Sequence, residues 1–184
     1  MREKALCLLD EHIQNENLKK HLFAVEALMR ALARKFNQDE EIWGLAGLVH
    51  DLDWEETKET PEEHSLIAAA VLEKEGFPKE VIQAVKVHNH IHGFEPESLL
   101  EKALYSTEEI TGLIVACALV QPSKKLKDVT VDSVLKKFKE KSFAAGVDRN
   151  IILKSEEYLK LGLNELIQLA LDAMISINEV LGLS

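Results

Sequence analysis

Cysteine, proline, glycine and aromatic residues are all scarce in this chain of 184 residues: two cysteines, four prolines, eight glycines and 5% aromatics. Each shortage closes an option. Cys7 and Cys117 both sit in helix-like apolar stretches, so neither a disulfide framework nor a thiolate zinc site follows. With so little turn chemistry and so few aromatics, strands have almost no sequence to occupy. Basic charge is short as well. Against 32 acidic side chains stand 22 basic ones, and the net charge of −10 provides no long-range field to attract nucleic acid or an anionic membrane. The longest uncharged stretch, Ile110 to Ser123, falls short of the roughly 18 to 20 residues that a membrane span requires. No charged-then-apolar signal segment opens the chain, so the expected location is the cytoplasm.

What is abundant is helix periodicity. Apolar residues recur three or four positions apart over most of the length, which predicts an all-α fold, and the length suits one domain. The pattern places helices near 2–14, 17–36, 39–53, 61–75, 79–91, 97–120, 130–140, 148–160 and 163–181. Pro61 with Glu62 and Glu63 suits a first helical turn, and Gly76 with Pro78 suits a stop. The segment Gln121 to Thr130, with Lys124, Lys125 and Lys127, reads as a solvated loop. The last helix is apolar on more than one face. Either it packs centrally or it forms part of a homodimer interface.

Periodicity also sets direction. His21 shares a stripe with Val25, Leu28 and Leu32, while Ile42, Leu45, Ala46 and Val49 lead into His50, so both imidazoles should point inward. The stripe Leu100, Leu104, Glu108, Thr111 and Val115 buries a carboxylate among apolar neighbours, a costly arrangement without a counter-charge or a metal. A single inward histidine is ordinarily a core residue. Two of them, with Asp51 directly after His50 and an inward acid on a third helix, outline a divalent-metal site, because successive side chains on a helix are turned about 100° apart and aim different ligands into one cleft. Imidazoles and carboxylates together suit zinc, manganese, iron, cobalt or nickel. His64 and His88 lie on stripes that face the same cleft, either to hold a second ion or to bond a substrate phosphate. His90 and His92 read as a solvated turn. Arg149, able to bind phosphate, reads more simply as an exposed residue paired with Asp148.

In order and context these residues resemble the HD-domain metal-dependent phosphohydrolase superfamily, in particular its small HDIG-type proteins. The matching segments are HLFAVEALMRALA around His21, LAGLVHDLDWE around His50 and Asp51, EEHSLIAAAVLE around His64, AVKVHNH around His88 and ALYSTEEITGLIVACALVQPSKKL around Glu108. The resemblance implies a single HD-type domain over 1–184, with a signature core at about 17–120 and a helical extension over 121–184. It implies a metal set of His21, His50, Asp51 and Glu108, with Asp51, His64 and His88 in catalysis. One divalent ion, or two, is expected (Mn, Fe, Ni, Co, Zn or Mg), acting on a nucleotide or another small phosphorylated metabolite through activated water. Two other outcomes stay open: a metal-binding regulatory module with little turnover, and a di-iron oxygenase.

The chain departs from the pattern at Glu108, where the family has aspartate; the added methylene extends the reach by on the order of 1.5 Å. Family members that hydrolyse cyclic di-GMP carry lysine soon after His-Asp, whereas this chain reads HDLDW. The guanosine tetraphosphate hydrolases and the helical nucleoside monophosphate phosphatases place glutamate three residues after the aspartate, where Trp54 stands here. None of these specificities carries over.

Overall fold

Helix α2 (Glu16–Lys35) is the spine of the fold. Its apolar stripe is buried completely at Leu22, Val25, Leu28, Met29 and Leu32. The Asn15 side chain starts it by accepting hydrogen bonds from the backbone N–H groups of Asn17 and Leu18. Helix α3 (Glu40–Val49), capped in the same way by Asp39, packs along α2, and α1 (Arg2–His12) lies against α3. The α2–α3 approach depends on Gly47. A Cβ there would stand 2.8 Å from the carbonyl oxygen of Val25, closer than any side chain tolerates.

The computed structural model describes residues 1–184, and all of its regular structure is helical. After α3 come α4 (Trp54–Thr57), α5 (Leu66–Lys74), α6 (Lys79–His88), α7 (Leu99–Thr107), α8 (Glu109–Leu119), α9 (Val131–Lys139), α10 (Arg149–Leu159), α11 (Leu163–Ile175) and α12 (Asn178–Leu181). Single 3-10 turns cover His90–His92 and Leu126–Asp128. Helices α6 and α7 pack together and against α5 and α10 respectively, while α11 lies on α2, α8 and α9. One hydrophobic cluster of 44 buried residues runs from Ala5 to Leu183, so the C-terminal helices share the core of the N-terminal ones.

Four predicted helices are shorter than their periodicity implies, and three of the breaks build the site. The helix predicted over 39–53 ends at Val49, and Asp51, Leu52 and Asp53 form a turn. The helix predicted from Pro61 begins at Leu66. Ser65 takes a left-handed backbone (φ 72°), and the carbonyls of Pro61 and His64 are bonded by the side chains of Asn89 and His92 rather than by a following turn. The long central helix is divided at Glu108 into α7 and α8. The last helix stops at Ile175. Its apolar width is used internally, with Leu166, Ile167, Ala170, Leu171 and Met174 buried.

Arg149 is half-buried rather than exposed, and its partners are not Asp148. Its guanidinium donates to the carbonyls of Phe138, Glu140, Phe143, Ala144 and Val147, holding the loop before α10, while Asp148 caps α10 by accepting from the Asn150 N–H.

Candidate metal centre

Four histidines converge on one carboxylate. His50 follows α3, His88 ends α6, His64 lies in the turn before α5 and His21 projects from the second turn of α2. Asp51 Oδ1 is 3.4 Å from His50 Nε2, 3.3 Å from His64 Nε2 and 3.3 Å from His88 Nε2. Its other oxygen is 3.8 Å from His21 Nε2. The rings meet edge to face, with centroids 5.1 to 5.2 Å apart along the series His21, His50, His88 and His64.

A shared feature fixes how these rings present themselves. Each Nδ1 is engaged on the protein side: His50 donates to the Gly47 carbonyl at 2.8 Å, His88 to the Val85 carbonyl at 2.6 Å and His64 to Asp53 Oδ1 at 2.8 Å. His21 Nδ1 lies 3.2 Å from the Thr111 hydroxyl, which spends its own proton on the Glu108 carbonyl and so accepts from the ring. Every Nε2 is thereby turned toward Asp51. Such Nδ1 anchoring is how proteins set the tautomer and tilt of metal-binding imidazoles.

His50 is wholly buried, and its Nε2 has no hydrogen-bond partner. A buried polar nitrogen left unpaired costs about 1–3 kcal/mol, which a ligand at that nitrogen removes. The donor set fits a cation. Two groups have their ligand atoms within 4.8 Å of one another: His21, His50 and Asp51, then Asp51, His64 and His88, with Asp51 common to both. Glu108 stands farther out. Its carboxylate is 3.7 Å from His21 Nε2 and belongs to neither group. Burial, with repulsion from Glu109 and Asp51, pushes Glu108 well above the usual carboxylate range, as expected for an acid facing other acids.

The remaining groups are tuned by the same geometry. Burial pushes His50 down to about 3 and lowers His21, so both are neutral, the form that ligates. Burial alone would raise Asp51, but the imidazoles gathered around it, His50 foremost with His64 and His88, hold it well below the usual range. His64 goes the other way. Burial works against its charge, yet the carboxylates of Asp51 and Asp53 on its two nitrogens lift it to about 9.

The centre lies in a cleft of about 410 Å³ lined by His21, Asp51, Trp54, His64, His88 and Glu108 among others. All of the residues singled out from the sequence, His21, His50, Asp51, His64, His88 and Glu108, therefore meet here. Asp53 is absent from that set. It is 2% exposed and takes bonds from His64 Nδ1 and from the Ala68 N–H at 2.8 Å each. Its signal in the sequence is the second acid of HDLDW. His92, read as part of a solvated turn, and the nearby Asn89 instead brace the His64 segment by bonding its backbone carbonyl at 2.8 and 3.1 Å.

A helical fold carrying a His, His-Asp and acidic cluster around a shared carboxylate offers a donor set that could hold a divalent ion. The HD domain family model matches residues 18–120, and the chain belongs to that family. It is 30% identical over 154 residues to Ribonuclease Y of Alkaliphilus metalliredigens (strain QYMF), an alignment covering 78% of this chain and 31% of that protein. The chain thus spans about a third of that relative's length. No solved structure matches it significantly.

Proposed function

We propose that this chain hydrolyses a phosphate ester of a small molecule with one or two divalent ions held around Asp51. The observation that carries this reading is the orphaned Nε2 of buried His50, aimed with three other anchored imidazoles at one carboxylate. A bound ion supplies Lewis acidity toward a phosphoryl oxygen and lowers the pKa of water. His21, His50 and Asp51 hold one ion, with Glu108 beside His21, and Asp51, His64 and His88 offer a second position. Asp51, held ionised, orients the attacking water. Where His64 does not ligate, its Nε2, 3.3 Å from Asp51, is placed to carry a proton to the leaving oxygen. The imidazole-rich donors favour manganese, iron, cobalt, nickel or zinc over magnesium, which prefers oxygen.

The cleft lining contains no lysine or arginine, and the chain carries a net charge of −10. Both favour a small phosphorylated substrate over the RNA that the name of the relative implies, and both disfavour an anionic membrane surface. No helix is long and apolar enough to cross a membrane. The compartment we propose is the cytoplasm, in keeping with two free cysteines. The two ligand groups sharing Asp51 support a second reading, a two-iron oxygenase.

The test is metal content and phosphate release on protein purified without an affinity tag and reconstituted with Mn, Fe, Co, Ni or Zn. The expected result is one or two ions per chain and orthophosphate released from nucleotides or sugar phosphates. His50→Ala and Asp51→Ala abolish both while circular dichroism keeps its helical signal. Full metal stoichiometry in both variants rejects the site. Two irons with oxygen consumption and no phosphate release select the second reading.

A further inference from the structure

Trp54 is a large aromatic residue at the mouth of the metal cleft, and it is 42% exposed. Indole surface left in water at a site otherwise made of histidines and carboxylates asks for an apolar partner. Ile91, 56% exposed, and Pro61 line the same cleft.

The exposure does not come from a loose backbone. On one side of Trp54, both carboxylate oxygens of Asp53 are bonded, by His64 and by the Ala68 N–H, and its carbonyl accepts from the Thr57 hydroxyl at 2.8 Å. On the other side, Glu55 Oε1 accepts from the backbone N–H groups of Gln14 at 3.1 Å and Asn15 at 2.5 Å, tying α4 to the start of α2. The indole itself leans on the His64 ring, with centroids 4.9 Å apart at 78°. An aromatic plane already fixed in place stacks on a ligand ring with little entropy left to lose.

The geometry points to Trp54 as a stacking platform for the base of a nucleotide whose phosphate lies at Asp51 and its histidines. This narrows the substrate class from phosphorylated metabolites in general to nucleotides. It rests on the phosphohydrolase reading for turnover, though not for binding. Trp54, Pro61 and Ile91 give this side of the cleft an apolar face suited to a planar base. Stacking on indole tolerates any base, so the platform selects for a planar ring rather than for one sequence letter.

The chain's two tryptophans make the test direct, because Trp43 is 3% exposed and only Trp54 can meet a ligand. Wild-type protein is titrated with adenosine and separately with ribose 5-phosphate while tryptophan fluorescence is followed. Saturable quenching by adenosine and none by ribose 5-phosphate is the expected result. In Trp54→Leu, KM for adenosine 5′-monophosphate rises about tenfold with kcat little changed, and Trp54→Phe restores most of the loss. An unchanged KM in Trp54→Leu, or no quenching by adenosine, overturns the platform. Adenosine needs no phosphate chemistry to bind. Quenching without turnover of any phosphate ester therefore keeps the platform and removes the hydrolase reading, whereas turnover without quenching removes the platform alone.

Discussion

Asp53 shows how a residue outside the candidate ligand groups positions a member of one. Its carboxylate receives His64 Nδ1–H at 2.8 Å while its second oxygen is held by the Ala68 N–H, so ring tilt and basicity are both set from behind. Replacing Asp53 with Asn keeps the shape but removes the charge. Metal affinity is expected to fall about 10- to 100-fold with the helical content intact, read by competition with a chromogenic chelator. Unchanged affinity in Asp53→Asn would remove Asp53 from the metal-orienting role. His21, His50 and His88 were legible in the sequence because helix period along α2, α3 and α6 gives the direction of a side chain, whereas Asp51 and His64 lie in turns and were legible only through the order of the motif. Asp53 and Thr111 act on partners from other elements, and no periodicity within one helix encodes such a pairing. Glu108 shows the same limit: its stripe predicts an inward acid but not its distance from the ligand groups.

At the scale of elements, the contact between α2 and α3 carries His21 and His50 to within one ring of each other. Gly47 is central to it twice, through its missing Cβ and through the carbonyl that anchors His50 Nδ1. In Gly47→Ala the new methyl meets the Val25 carbonyl, which is backbone and cannot swing aside. The two helices must part, at an expected cost of about 1–3 kcal/mol, seen as a lower urea midpoint, together with weakened metal binding. A variant as stable as the parent, with the same metal affinity, would show that the helices can be spread without effect on the site. The sequence made the order and faces of the helices readable, but not their breaks. Helix-period residues continue through Leu52 and Glu108, and they precede Leu66. Before Leu66 the chain stays out of the helix because Asn89 and His92 bond the Pro61 and His64 carbonyls, and beyond Val49 the turn sets the Asp53 carboxylate on His64 Nδ1 and the Ala68 N–H.

For the whole molecule, the charges gathered around Asp51 tie stability to pH in a way that metal should invert. His50, lowered from 6.5 to about 3, binds fewer protons folded than unfolded, so its contribution is lost as pH falls from 6.5 toward 3. His64, raised from 6.5 to about 9, contributes on the order of 3 kcal/mol that is fully present below pH 6.5 and lost as pH rises through 9. Glu108, raised above its usual value, also favours the protonated folded state, and its contribution is lost as pH rises above the ordinary carboxylate range. Metal-stripped protein should therefore weaken as pH rises from 6.5 toward 9. Metal ligation requires the deprotonated form, so binding at His64 expels its proton and strengthens with pH over the same range. The difference in Tm between metal-loaded and chelator-stripped protein should widen from pH 6.5 to 8.5. Calorimetric titrations in buffers of different ionisation enthalpy should register net proton release. His50, already neutral, contributes no proton, which separates the two histidines experimentally: a Tm difference that stays constant across the range would mean that His64 stands apart from the metal, leaving the group of His21, His50 and Asp51 as the binding site.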